Sequence, residues 1–132
     1  MPMIQLIYAS RPFGFDEGTI AAILNVARRR NERDGITGAL ICRGDLYLQL
    51  LEGEQEKVDA VYREIERDHR HTQLRLLSRR TVTERLFPGW AMRHDPARSW
   101  MWTQEEVNAG AVERATEAEA VAIFERLARE PA

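Results

Sequence analysis

Two apolar runs, residues 36–42 and 46–51, stand on either side of Arg43-Gly44-Asp45, and this pair constrains the fold more than any other feature. Runs of strand length with so short a link read as a tight hairpin. A strand alternates its faces at every residue, and both runs are apolar on both faces. The hairpin must therefore lie inside a sheet that is covered on each side. One residue breaks the pattern. In Leu46-Tyr47-Leu48-Gln49-Leu50-Leu51, the amide of Gln49 shares a face with Tyr47 and Leu51. Burying an amide without partners costs about 1–3 kcal/mol. A group on that side of the sheet must bond to Gln49, and finding it is the route to function.

The rest of the chain supplies the covers. Residues 3–9 read as a first strand, ended by the loop Ser10-Arg11-Pro12-Phe13-Gly14. Asp16 can cap a helix running to about Arg33, with Ile20, Ile23, Leu24 and Ala27 as its apolar stripe. Asn31 continues that stripe, so this helix also aims an amide inward. Two independent elements each presenting an uncharged hydrogen-bonding side chain suggest a polar-headed ligand in an apolar pocket. Gly35 ends the helix. A second helix is predicted over residues 55–68, with Val58, Val61, Tyr62 and Ile65 inward. Residues 74–82 and 90–94 read as further strands, the last one preceded by Pro88-Gly89.

The order β-α-β-β-α-β-β predicts an α+β, ferredoxin-like sheet with an extra strand and both helices on one face. The tail is expected to cover the other face. Thr103-Gln104-Glu105-Glu106 and Thr116-Glu117-Ala118-Glu119 are capping-box patterns, and the second opens a stripe of Ala120, Phe124, Leu127 and Ala128.

Composition narrows the function. At 132 residues the chain reads as a single core. A net charge of -2, with both signs interspersed, gives no field for nucleic acid or an anionic membrane, and neither is expected as a partner. Cys42 is the single cysteine, so an intramolecular disulfide and a multi-cysteine metal site are excluded. His69 and His71 lack a ligand constellation, and no metal is expected. The start of the chain lacks a signal-peptide pattern and no apolar run is of membrane-spanning length. A cytoplasmic protein is expected.

Tyr8 in the first strand, Asn31 before Gly-Ile-Thr-Gly, Gln49 before Leu-Leu-Glu-Gly, Asp68-His69-Arg70-His71 and Trp90-Ala91-Met92 together resemble a BLUF domain, the blue-light sensor that uses flavin. The resemblance covers residues 3–94 and holds in order and spacing. It implies a non-covalent flavin, FAD first and FMN or riboflavin as alternatives, with its ring between the two helices. By the same resemblance Asn31 bonds the polar edge of the ring, and Gln49 bridges the ring and the Tyr8 phenol. Ile23 and Ile65 sandwich the ring, and Leu40 and Met92 also touch the cofactor. Asp68, Arg70 and His71 fall toward the ribityl-phosphate side. Light is expected to drive electron and proton transfer from Tyr8 and to rearrange the hydrogen bonds of Gln49. Trp90 and Met92 on the fifth strand border the glutamine and pass the signal outward.

Further implications concern the whole molecule. Residues 1–98 form the photosensor domain and residues 99–132 a helical extension on the sheet. The sensor is not an enzyme, and it signals to a separate effector protein, with a homodimer or larger homo-oligomer expected by analogy. Two positions depart from the commonest pattern: Ala27 stands where serine is frequent, and Arg30 where asparagine or histidine is. Arg30 offers a cation to a phosphate. Taken singly, the motif residues have plainer readings. Tyr8 is a core tyrosine, Asn31 a helix-end cap, Trp90 and Met92 plain core, and Trp100 and Trp102 dock the tail. An acylphosphatase-type enzyme and a flavin-free interaction domain remain as other readings.

Overall fold

The computed structural model describes residues 3–12, 17–67 and 71–130, without the side chains of residues 12, 17–20, 71–73, 95 and 96. The expected cap Asp16, the loop residues Phe13 and Gly14, and Asp68, His69 and Arg70 lie outside the described residues. Five strands alternate with helices: β1 (Met3–Pro12), α1 (Glu17–Asp34), β2 (Thr37–Arg43), β3 (Leu46–Glu54), α2 (Gln55–Glu66), β4 (His71–Val82) and β5 (Arg93–Pro96). Three tail helices follow, α3 (Gln104–Asn108), α4 (Ala111–Arg114) and α5 (Glu117–Ala128).

The strand order is β4-β1-β3-β2-β5. The first four strands pair antiparallel, as in a ferredoxin-like sheet, and β5 adds on parallel to β2. The hairpin sits where its apolar pattern required. β3 lies between β1 and β2, and all of its residues but Glu54 are buried. Its two-residue turn is clamped by Arg43, which holds Asp45 at 2.5 and 3.0 Å and also donates to the Trp102 carbonyl at 2.9 Å. Glycine is required at position 38, because a Cβ there would sit 2.0 Å from the Leu50 carbonyl oxygen. Gly35 ends α1 at φ 68°, a left-handed conformation that favours glycine.

Each face of the sheet has its own core. On the helix face Ile4, Leu6, Tyr8, Leu40 and Leu51 pack under Leu24 and Ala27 of α1 and Val58, Val61 and Ile65 of α2. On the tail face Ile7, Ile41, Leu48 and Leu50 pack under Met101, Trp102, Val107, Phe124 and Leu127. The Thr103 capping box is complete, with bonds of 3.0 and 3.1 Å in the two directions. Thr116 caps α5 from the Glu119 amide at 3.1 Å, but the reciprocal bond is replaced by contact between its hydroxyl and the Glu119 carboxylate. Trp102 docks in the tail core. Trp100 instead bonds Glu130 at 2.9 Å and lies under the Arg126 guanidinium. Among the described residues no helix is long and apolar enough to cross a membrane.

Two expectations need correction. Ser10, Arg11 and Pro12, read as loop, extend β1, with Ser10 opposite Tyr47 of β3 and Arg11 and Pro12 opposite Thr72 and His71 of β4. The fifth strand does not start at Trp90 but at Arg93. The turn at Pro88-Gly89 runs on, with the Trp90 amide bonded back to the Phe87 carbonyl at 3.2 Å, and Trp90 is 44% exposed.

Candidate functional site

Tyr8 and Gln49 face one another directly across β1 and β3, and Leu40 stands opposite Gln49 on β2. The three form a row on the helix face, and all are buried. The Tyr8 hydroxyl donates to Oε1 of Gln49. At its other end, Nε2 of Gln49 donates to the thioether sulfur of Met92 at 3.4 Å. Sulfur is a weak acceptor, so this end of the amide is held less firmly than the phenol end. The Tyr62 ring of α2 lies 5.7 Å from the Tyr8 ring, and burial, then Glu66, pushes its phenol above the ordinary range.

The α1 side of the site is built by Asn31, which is fully buried. Its Nδ2 donates to the Ala91 carbonyl at 2.7 Å, while its Oδ1 is buried with no partner among the described residues. An orphaned buried acceptor costs about 1–3 kcal/mol. A ring presenting an N–H beside carbonyl oxygens would satisfy it. Ile23 is half-buried against this cluster and Ile65 is buried within it. The residues present therefore fit a flavin: an amide acceptor in need of a donor, an adaptable glutamine, a buried phenol and aliphatic side chains from both helices. Among the described residues no three His, Cys, Asp or Glu side chains gather as a metal site.

The other expected residues are placed unevenly. Met92, not Trp90, is the one that touches Gln49. Arg30 reaches across to α2, where it meets Glu64 at 3.3 Å, and its Nε is buried without a partner. Ala27 is buried in the helix-face core. His71 joins β4 by its backbone, opposite Pro12, and its side chain is outside the described residues, as are Asp68 and Arg70.

Several residues escaped the sequence reading. Arg28 donates to the Met92 carbonyl at 3.2 Å, and Arg93 is buried on the opposite face from Met92. Glu52 is fully buried, and alternation from Leu48 and Leu50 was the signal that could have found it.

Comparison with known proteins agrees with this geometry. The family model BLUF, sensors of blue-light using FAD, matches residues 3–93. The chain belongs to that family, a group of blue-light sensors whose cofactor is FAD. Among solved structures, the dark-state structure of BlrB, a BLUF protein, superposes with a TM-score of 0.77 at 30% identity, covering 96% of each chain. The ground state of BlsA gives 0.82 at 25% identity, over 98% of this chain and 89% of that one. Among curated relatives, the photoactivated adenylate cyclase subunit alpha of Euglena gracilis is 30% identical over 69% of this chain and 9% of its own length. The blue light- and temperature-regulated antirepressor BluF of Escherichia coli is 42% identical over 39% of this chain and 13% of its own. The matches thus span about a tenth of these longer relatives.

Proposed function

We propose that this chain is a blue-light photoreceptor in which Tyr8 and Gln49 form the switch, and that it acts on a separate protein without catalytic turnover. The observation that carries the reading is the buried chain of contacts from Tyr8 through Gln49 to Met92, beside the orphaned Oδ1 of Asn31. Bound FAD supplies the absorption of blue light and, once excited, a strong oxidant. Asn31 would hold the polar edge of the ring and Ile23, Leu40 and Ile65 its apolar surface. Asp68, Arg70 and His71 are proposed for the ribityl-phosphate side. Arg30 would join them by exchanging Glu64 for phosphate. FMN or riboflavin would satisfy the same ring contacts.

Tyr8 is the proposed source of the electron and the proton. Its hydroxyl proton moves to Oε1 of Gln49 along the existing hydrogen bond and later returns. A glutamine amide carries a donor and an acceptor on one group, so it can settle in a new orientation or tautomer without net oxidation of the protein. Its hold on the Met92 sulfur then changes. Arg93, the next residue, lies on the other face and donates to the Leu127 carbonyl at 3.3 Å, near the end of α5. We place the output along this path, from β5 to the tail helices of residues 99–132, which extend a sensor domain of residues 1–98. The output partner is proposed to be a cytoplasmic effector protein, met by a homodimer or larger assembly.

The test is the visible absorption spectrum before and after blue light. A flavin spectrum that shifts slightly to the red and recovers in the dark is expected, and Tyr8→Phe and Gln49→Leu should each abolish the shift. A colourless protein that refuses added FAD overturns the reading. Identical amide exchange in light and dark across residues 90–127 would remove the proposed output path.

A further inference from the structure

Glu52 is fully buried at the end of β3, three residues beyond Gln49, and the proposed photochemistry gives it no part. Its side chain is nevertheless the most heavily bonded acid of the interior. Oε1 accepts from the Leu86 amide at 2.8 Å, and Oε2 accepts from the Phe87 amide at 2.7 Å and the Thr37 hydroxyl at 3.1 Å. Two consecutive backbone N–H groups on one carboxylate form a rigid anchor, since bonds to a charged acceptor are shorter and stronger than neutral ones. Arg85 braces it, donating to Thr37 at 2.9 Å, to the Glu52 carbonyl at 3.2 Å and to the Gly35 carbonyl at 2.8 Å.

From that anchor the chain runs to β5 outside any regular element, yet three successive carbonyls before β5 are bonded. The carbonyls of Trp90, Ala91 and Met92 accept, in order, from the Gly38 amide at 3.0 Å, Asn31 at 2.7 Å and Arg28 at 3.2 Å. The segment of residues 86–92 is thus a strap referred twice to β3, at Glu52 and again where Met92 meets Gln49. At its anchored end the Phe87 ring packs edge-on against Phe124 of α5, 6.3 Å between centroids.

We propose that Glu52 is a positioning residue of the light switch: by anchoring the strap it sets the hold of Met92 on Gln49. This rests on the photoreceptor reading. A rearranged Gln49 works against a thioether whose backbone is held in place, so the anchored strap favours the return to the dark arrangement. Loosening the anchor should lengthen the life of the lit state.

The experiment uses the FAD-loaded full chain and two readouts, amide exchange in the dark and the rate of dark recovery after blue light. Glu52→Gln exchanges one acceptor oxygen for an NH2 group that faces either the Leu86 donor or the Phe87 donor. It should speed exchange at Leu86 or Phe87, and at Gly38, and slow recovery about tenfold. Glu52→Asp, which keeps the charge, should restore part of the recovery rate. Val112→Ala, a buried change in α4, lowers stability without slowing recovery. Recovery that is unchanged or faster in Glu52→Gln overturns the proposal, as does unchanged exchange at both Leu86 and Phe87. If Glu52→Gln does not fold, Thr37→Val removes one donor from the carboxylate and should slow recovery about threefold. Recovery at the wild-type rate in that variant is equally decisive against it. A wild-type chain with no reversible shift fails the photoreceptor reading itself, and the positioning role falls with it.

Discussion

The two faces of the sheet are made from the same strands and solve different problems. On the tail face, Leu48 and Leu50 of β3 meet Phe124 and Leu127 of α5, and the contact is closed by apolar side chains in mutual register. On the helix face the residue between those leucines is Gln49, which with Tyr8 and Asn31 brings hydrogen-bonding groups into a largely apolar layer. Hydrophobic closure explains the contact of these leucines with α5, while Glu52 and Arg93, buried on the same side, are satisfied by hydrogen bonds. The second carries an orphaned acceptor and a weak amide-to-sulfur bond, features that lower stability and make sense where a ligand and a rearrangement are accommodated. The difference teaches that at the middle of β3 apolar closure lies on one side and the rearranging amide on the other, one residue apart.

The largest test of that division is Phe124→Ala. Removing a fully buried phenyl ring from a packed core costs about 3–5 kcal/mol. Urea denaturation should show that loss, while the folded fraction keeps the flavin spectrum and its light-induced shift. Loss of the shift at full folding would break the division, because the tail core would then be part of the switch chemistry.

The reverse test sits on the helix face. Tyr8→Phe leaves Oε1 of Gln49 without its donor, and Gln49→Leu leaves the Tyr8 hydroxyl without this acceptor. Each should destabilise the flavin-free protein by about 1–3 kcal/mol and remove the light-induced shift. The double variant replaces both partners by apolar groups and should recover most of the lost stability while remaining blind to light. Additive losses in the cycle would mean that the two side chains do not act as a pair.

Much of this division could be read from the chain. The apolar runs around Arg43-Gly44-Asp45 placed the hairpin at the centre of the sheet, and the stripe of α5 identified the second cover. The inward aim of Gln49 and Asn31 followed from periods of two and of about 3.6 residues. Periodicity could not name the partner of Gln49, because Tyr8 is distant in sequence and only the β1–β3 register brings them opposite. It was the joint motif pattern that supplied Tyr8. The segment before β5 was misread for a related reason. Trp90 and Met92 look like alternate residues of a strand, but the backbone there is held by Gly38, Asn31 and Arg28 from other elements. Such bonds leave no local period. Glu52 did have one, yet an acid in an apolar run reads as a strand end until its donors at Leu86 and Phe87 are seen.

The smallest expected effect sharpens the comparison through pH. Cys42 lies on the helix face opposite Tyr47, and burial pushes its thiol from 9.0 up to about 12, against a smaller opposing contribution from the Tyr47 hydrogen bond. A folded-state value above the unfolded one means that the folded protein holds this proton more tightly. The stability tied to it is complete below about pH 9 and is lost as pH rises toward 12. At pH 10 the loss should be about 1 kcal/mol. Tyr62 is also pushed up by burial, so the total slope contains more than one group. Comparing wild type with Cys42→Ala isolates the thiol. Urea midpoints at pH 7.5 and pH 10 should fall further in wild type than in the variant by about that amount. Equal falls would show that the thiol reaches water in the folded state, and that the helix face is open at the end where Cys42 and Tyr47 meet.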